Sequence, residues 1–87
     1  MKEVNIYKAL GDPIRLEMVK RLAGGSPLNI SEVSKGLGVS RQGARKQLQV
    51  LVAADVVRLK PQGRGTLVNL DPATLKTAQQ FISGLEN

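Results

Sequence analysis

The sequence predicts a mostly α-helical domain with one small β-hairpin, an α+β fold built as a single unit over residues 1–87. Apolar residues recur with helical spacing in five stretches, and breaks that contain glycine or proline separate these stretches. Two short runs of β-forming residues flank one glycine-rich loop. A chain of this length buries only about 60–65% of the surface that its unfolded form exposes, so we expect one small core of marginal stability.

The first two predicted helices follow each other closely. The first covers residues 3–10 and carries a broad apolar stripe, and Gly11 ends it. Asp12 can cap the next helix, and Pro13 suits a first helical position. The second helix covers residues 13–23, where apolar and charged residues fall on opposite sides.

Arg15 lies in the middle of the apolar side of the second predicted helix. One interpretation is a group that senses a partner. The other is an arginine whose stem packs in the core and whose guanidinium pairs with a nearby carboxylate. We expect the second arrangement.

The third and fourth predicted helices form a helix-turn-helix. After a break at residues 24–27, residues 28–30 allow only a short strand. Ser31 opens a short helix that Gly38 stops, and a longer helix with a serine cap covers residues 40–54. Two helices joined by a turn of three to four residues that contains glycine match the helix-turn-helix signature.

A hairpin and a last helix complete the chain. Residues 56–60 and 66–70 are strand-like, and the loop PQGRG between them places Arg64 between two glycines, which predicts a hairpin. Asp71 can cap a last helix over residues 72–85. The expected order is therefore α-α-(β)-α-α-β-β-α.

Composition excludes most catalytic chemistry. Cysteine and histidine are both absent, which removes disulfides, thiol nucleophiles, imidazole bases and the two commonest transition-metal ligands. Ser31 and Ser40 are better explained as helix caps than as nucleophiles, so we expect no enzyme and no cofactor. No apolar run suits a signal peptide or the roughly 20 residues of a membrane span, so we expect a cytoplasmic protein without a membrane partner.

Positive charge is concentrated in one part of the chain. The formal net charge is +6, and the segment from Arg41 to Arg64 holds six cations and one acid. Clustered cations suit a polyanion, either nucleic acid or an acidic membrane surface. Tyr7 and Phe81, the two aromatic residues, lie outside this segment, which argues against the stacking platforms that bind single strands.

The longer helix of the predicted pair has one polar face. Projected at about 100° per residue, five side chains share an arc of about 140°: Arg41, Gln42, Arg45, Lys46 and Gln49. Among the polar residues only Gln47 intrudes into the opposite arc. Arginine can bond O6 and N7 of guanine, and glutamine N6 and N7 of adenine, so the face is suited to reading bases. The alternative is a face that is simply solvated.

Several short motifs follow one another in a fixed order. They are Asp-Pro-x-Arg at residues 12–15, Ser-Glu-Val at 31–33, Leu-Gly-Val-Ser at 37–40, Leu48 with Leu51, and Leu-Asp-Pro at 70–72. Together they resemble the ArsR-type winged helix-turn-helix transcriptional regulators over essentially the whole chain. The resemblance implies a homodimer that binds an inverted-repeat operator in double-stranded DNA and represses transcription until an effector releases it.

By position, the family's reading helix corresponds here to the residues Arg41, Gln42, Arg45 and Lys46, and its wing tip to Gly63, Arg64 and Gly65. Many members sense metals through cysteines before the turn, or through histidines and acids in the last helix. This sequence has neither cysteine nor histidine, and Asp71 is the only carboxylate within residues 71–81, so we expect no transition-metal site. The effector is left unknown.

A second set of residues is expected to contact the wing side and the phosphates of DNA. Its members are Lys35, Ser40, Arg58, Lys60, Gly63, Arg64 and Gly65.

The terminal helices, at about residues 3–10 and 72–85, each offer an apolar stripe that a short chain cannot easily cover. We expect them at a dimer interface formed by Val4, Ile6, Tyr7, Leu75, Ala78, Phe81, Ile82 and Leu85. The alternative is that these residues pack only within their own domain.

Two functions therefore follow from the sequence. The first is a sequence-specific regulator bound to double-stranded DNA. The second is an interaction module whose basic face docks an acidic protein, since a fold does not fix a function. The base-reading residues on the longer helix favour the first, because docking a protein does not require them.

Overall fold

Five helices and a three-stranded antiparallel sheet form residues 2–86, the part of the chain that the computed structural model describes. In chain order the elements are α1 (Lys2–Leu10), α2 (Pro13–Leu22), β1 (Leu28–Asn29), α3 (Ile30–Ser34), α4 (Arg41–Ala53), β2 (Val57–Gln62), β3 (Gly65–Leu70) and α5 (Pro72–Leu85). The predicted α+β class and the order of the elements are confirmed. Within residues 2–86 no helix is long and apolar enough to cross a membrane.

One hydrophobic core receives side chains from all five helices and from the β2–β3 hairpin. Helix α4 runs through its centre. Its residues Ala44, Leu48 and Leu51 have no exposed surface, and their spacing of four and three residues puts them on a single helical face. Because this face is fixed in the core, the opposite face of α4 must point outward.

Two aspartates start α2 and α5 as predicted. Asp12 accepts hydrogen bonds from the N–H groups of Ile14 (2.9 Å) and Arg15 (3.1 Å). Asp71 accepts them from Ala73 (3.0 Å) and Thr74 (3.4 Å). In both helices a proline follows the cap, where its missing N–H removes no intrahelical bond.

Helix α3 begins and ends differently from the prediction. Its cap is Asn29, whose side chain accepts from the N–H of Glu32 (2.8 Å), while Glu32 accepts from the N–H of Asn29 (2.9 Å). The prediction of Ser31 as the cap is wrong, because this reciprocal capping box starts the helix earlier and places Ser31 inside it. The turn to α4 is also longer than predicted, with left-handed backbone at Gly36 (φ 76°) and Gly38 (φ 73°).

The hairpin is tighter than the sequence suggested. The strands extend into the predicted five-residue loop and leave a turn of only two residues, Gly63 and Arg64. Gly63 adopts φ 57°, a conformation that glycine reaches without strain. Pro61 lies within β2, which the sheet order β1-β3-β2 makes an edge strand, where proline is tolerated.

Candidate nucleic-acid interface

The polar face of α4 is exposed along its length. The structure brings together all five predicted base-reading residues on the side of the helix opposite the core: Arg41, Gln42, Arg45, Lys46 and Gln49. The helix starts at a fixed point, because the Ser40 hydroxyl oxygen accepts a hydrogen bond from the N–H of Gly43 at 3.0 Å. We name these five residues the reading face.

No side chain of the reading face is committed to an internal partner. Among residues 2–86, the salt bridges join Glu17 to Arg21 and Asp71 to Arg58. The reading face takes part in neither of them and in no side-chain hydrogen bond between described residues. Its donors and acceptors are therefore available to an external molecule.

The β2–β3 hairpin, which we call the wing, lies beside the N-terminal end of α4. A small recess of about 130 Å³ separates them, and Arg41, Arg45, Gly65 and Thr66 line it together with Asn29, Ile30 and Ser31. Ser31 and Thr66 were not predicted as site residues. Thr66 could not be distinguished from an ordinary strand residue, and Ser31 was assigned to a cap that Asn29 provides. The recess therefore places two hydroxyl side chains next to two free arginines.

The remaining predicted contact residues, apart from Gly65, lie outside the lining of this recess. Lys35, Lys60, the turn residues Gly63 and Arg64, and Gly65 at the start of β3 are exposed, as is Ser40. Lys60 stands on β2 opposite Leu67, between the base of the hairpin and the turn. The cations of this group extend the positive surface of the reading face onto the wing.

Arg58 makes an internal contact that the sequence did not predict. It pairs with Asn69 near the base of the hairpin, four residues along β2 from Gln62, which is about 13 Å of strand. Its Nε and Nη2 atoms donate to Oδ2 of Asp71 at 3.2 and 2.9 Å. Arg58 thus joins the hairpin to the start of α5, and we leave it out of the proposed phosphate contacts.

The same contact changes the acidity of Asp71. Partial burial of this carboxylate raises its pKa. The opposing effects are larger: hydrogen bonds from Arg58 and from the N–H groups of Thr74 and Ala73, together with the positive charge of Arg58, hold the pKa below its usual value of 3.8. Asp71 is therefore ionised at neutral pH, and its carboxylate joins Arg58 of β2 to the first N–H groups of α5.

Arg15 is held by neutral oxygens, so the predicted carboxylate partner is wrong. Its Nε donates to the carbonyl of Ala9 (2.6 Å), its Nη2 to that of Lys8 (3.3 Å), and its Nη1 to Oε1 of Gln47 (2.7 Å). The last carbonyls of a helix lack intrahelical partners and carry partial negative charge, so the end of α1 takes the place of a carboxylate. Gln47 can lie among apolar residues because its side-chain oxygen accepts a hydrogen bond from Arg15.

The terminal helices bury part of the predicted dimer surface. Ile6 is 0% exposed and Ala78 is 7% exposed, so their place at a dimer interface is wrong: both belong to the core of their own chain. Leu75 packs against the same core. Of the predicted interface residues, Val4, Phe81, Ile82 and Leu85 are exposed and Tyr7 is half-buried beside them, and we name these five residues the terminal-helix face.

Tyr7 joins the two helices of this face. Its hydroxyl donates to the carbonyl of Ala78 at 3.1 Å, and its ring centroid lies 6.1 Å from that of Phe81. Phe81 and Ile82 remain 45% and 48% exposed, which is unusual for adjacent large apolar side chains. The terminal-helix face is thus a contiguous apolar patch on a fixed helix pair.

Within residues 2–86 no group of three or more histidine, cysteine or acidic side chains is arranged to hold a metal ion.

Comparison with known proteins agrees with this architecture. Residues 10–60 match the family model of a helix-turn-helix domain. The HTH-type transcriptional regulator Rv2034 of Mycobacterium tuberculosis is 39% identical over 69 residues, which cover 79% of this chain and 64% of that protein. The matched region therefore spans less than two thirds of that relative.

Solved structures share the fold over nearly the whole chain. An ArsR-like transcriptional regulator from Rhodococcus sp. RHA1 is 26% identical, with a TM-score of 0.81 over 98% of this chain and 79% of that one. The homodimeric winged helix-turn-helix DNA-binding domain of Mb0332 from Mycobacterium bovis is 17% identical, with a TM-score of 0.77 over 98% and 79% of the two chains. At that identity the second likeness concerns the fold alone.

Proposed function

The chain belongs to the ArsR-type helix-turn-helix family of transcriptional regulators, and on that premise we propose that it is a sequence-specific repressor. It binds double-stranded DNA as a homodimer at an inverted-repeat operator. The observation that carries this proposal is the reading face: five exposed polar side chains of α4, none with an internal partner, beside a cationic wing.

Base reading falls to the N-terminal part of this face. In helix-turn-helix proteins this end of the second helix meets base edges in the major groove. Arg41 and Arg45 suit guanine, and Gln42 suits adenine, each good bidentate pair being worth about 1–3 kcal/mol of discrimination. Burial of Leu48 and Leu51 fixes the rotation of α4, so the backbone positions from which these side chains project are fixed.

The proposed role of Lys46 in the reading face, and of the cations around that face, is to neutralise phosphates. We assign it to Lys35, Lys46, Lys60 and Arg64, with the Ser40 hydroxyl as a further donor. Such contacts release counterions from the duplex, so the affinity falls steeply as the salt concentration rises. They position the protein without choosing the sequence.

Dimerisation falls to the terminal-helix face. Burying its apolar side chains against a second copy would supply hydrophobic area that a chain of this size lacks. A two-fold dimer places two reading helices about 34 Å apart, one turn of duplex, which suits an inverted repeat. Sedimentation equilibrium of the wild type and of Phe81→Ser tests this step: we expect a dimer that the substitution weakens, and equal masses for both proteins would contradict it.

The proposal as a whole is tested by fluorescence-anisotropy titration. The labelled DNA comes from upstream of the gene that encodes this chain, and a scrambled duplex of the same length is the control. At about 50 and about 200 mM salt we expect a steep loss of affinity on both DNAs, and on the natural DNA a preference of roughly a thousandfold or more. Absence of binding to either duplex at low salt would contradict DNA binding and favour an acidic protein as the partner.

A further inference from the structure

A cleft of about 520 Å³ opens between α1 and the C-terminal half of α4. Its lining consists of Asn5, Lys8, Ala9, Arg15, Val50, Ala53 and Ala54. The volume falls within the roughly 300–1,000 Å³ typical of small-molecule sites. Helical geometry places Asn5 on the far side of α1 from Tyr7, whereas Lys8 lies one turn after Val4, so the cleft borders the terminal-helix face at Val4 and extends away from Phe81 and Ile82.

The walls of the cleft are apolar. Ala9, Val50, Ala53 and Ala54 contribute small side chains, and Val50 (42% exposed) and Ala53 are both exposed, unlike Ala44, Leu48 and Leu51 of the same helix. An apolar body placed against these residues would remove their surface from water. The small size of the alanine side chains is what leaves the space open.

The rim of the cleft is positive. Lys8 and Arg15 are its charged residues, and no aspartate or glutamate lines it. The acceptors of Arg15, two carbonyls and the amide of Gln47, are neutral, and neither residue takes part in a salt bridge among residues 2–86. The guanidinium carries five N–H donors, so it keeps both its charge and unused donors while its position is fixed.

We propose that this cleft binds a small amphipathic organic anion. The anionic group meets Lys8 and Arg15, and an apolar body covers Val50 and Ala53. Charge complementarity selects the anion, since a cation would face two positive side chains with no acid to offset them. The apolar walls exclude small inorganic ions as the preferred ligand, because they offer such ions no compensation for lost water.

Arg15 connects this cleft to the reading helix. An anion that accepts from the unused donors of the guanidinium would place negative charge near Oε1 of Gln47, which accepts from Nη1 of the same group, and would weaken that contact. Weakening this contact loosens α4 from the end of α1, the helix that also carries part of the terminal-helix face. Occupancy of the cleft thereby alters the affinity for DNA. This consequence rests on the proposed function, but binding of the ligand to the cleft does not depend on it.

Ligand binding is tested without DNA by titrating the protein with anilinonaphthalene sulfonate, a fluorescent anion with an apolar body. Phenylnaphthylamine, which has the same rings but no charge, is the matched probe. We expect saturable binding of the anion and weaker binding of the neutral probe. Equal affinity for the two probes would overturn the assignment of an anion site.

Substitutions locate the bound probe. Ala53→Glu fills the cleft with a negative side chain at an exposed helical position and should abolish one saturable site per chain. Lys8→Gln should weaken binding about two- to fivefold, the range expected for a partly exposed ion pair, while Lys20→Gln, on the exposed side of α2, should not change it. Unchanged binding to Ala53→Glu, with binding lost in Phe81→Ser, would place the probe on the terminal-helix face and overturn the proposal.

The regulatory consequence is tested by repeating the anisotropy titration at saturating probe concentration. We expect the DNA affinity of the wild type to change at least severalfold and that of Ala53→Glu to stay constant. An equal change in both proteins, or none in the wild type, would overturn the coupling. Because the probe titration contains no DNA, failure of the proposed DNA binding leaves its result intact.

Discussion

The arginines of this protein divide between two regions. Those of α2 and the hairpin base are held in place: Arg21, for example, donates from Nη1 to the carbonyl of Lys35 at 2.7 Å and pairs with Glu17. Those of the reading face and the wing tip have no partner within residues 2–86. The held group is Arg15, Arg21 and Arg58; the free group is Arg41, Arg45 and Arg64.

Identical side chains thus have opposite uses. A held arginine has already lost its rotamer freedom, and its contribution is to the stability of the fold. A free arginine retains up to about 2 kcal/mol of side-chain entropy, which the proposed contact with DNA would remove. Three of the six arginines therefore carry a positive charge that no partner within residues 2–86 offsets, and all three lie on the reading face or the wing tip.

The largest expected effect is on the stability of a held arginine variant. Arg15→Ala removes three hydrogen bonds and leaves Gln47 without its partner, so we expect the free energy of unfolding to fall by about 1.5–3 kcal/mol. Arg15→Lys, which keeps the charge but not the planar fork, should lose somewhat less. Urea denaturation followed by circular dichroism measures both, and a loss no larger than that of Arg41→Ala would remove the distinction between the two groups.

A free arginine should show the reverse pattern. Arg45→Ala should change the free energy of unfolding by no more than about 0.5 kcal/mol, since the side chain touches nothing that the fold requires. Its discrimination between operator and scrambled DNA should fall by about 1–3 kcal/mol. Anisotropy on both duplexes measures this, and retained preference with lower overall affinity would assign Arg45 to phosphate rather than base contact.

A smaller effect separates the wing from the reading face. Lys60→Ala should weaken binding to operator and scrambled DNA about equally, and should reduce the slope of log affinity against log salt by about 1. Lys20→Ala is the control, because it removes the same charge from the exposed side of α2. If Lys60→Ala lowers only the operator affinity, the proposed division between positioning and reading is incorrect.

The smallest expected effect concerns the pH dependence of stability. The pKa of Asp71 is lower in the folded protein than its usual 3.8, so its contribution to stability is present above that value and is lost as the pH falls through the lower folded pKa. Asp71→Asn should flatten this part of the curve, and Arg58→Ala should flatten it in part. Thermal melts between about pH 5 and pH 2 measure the effect, and a steeper acid loss in either variant would contradict the assignment.

Local chemistry predicted most of the fold. Asp12, Ser40 and Asp71 start helices because their side chains accept hydrogen bonds from N–H groups two or three residues away, a relation that sequence alone reveals. The reading face followed from the same logic, since helical periodicity places Leu48 and Leu51 opposite it. Features that depend on neighbours close in sequence were therefore accessible.

Features that depend on tertiary contacts could not be predicted from the sequence. The partners of Arg15 are backbone oxygens at the end of α1, and no side-chain pattern identifies a carbonyl as an acceptor. Ile6 belongs to a stripe that looks uniform in sequence, yet the other elements cover it completely and leave Val4 exposed. Asn29 and Ser31 are both good caps two residues apart, and the reciprocal bond from Glu32 decided between them.

The outer edge of β2 affects the tendency of the protein to aggregate at high local concentration. Unpaired strand edges can template the addition of strands from other molecules, and lysine or proline on the edge is a common protection. Lys60 and Pro61 stand on this strand. Lys60, which extends positive charge along the wing, and the neighbouring Pro61 thus make this edge a poor template for a strand from a second copy.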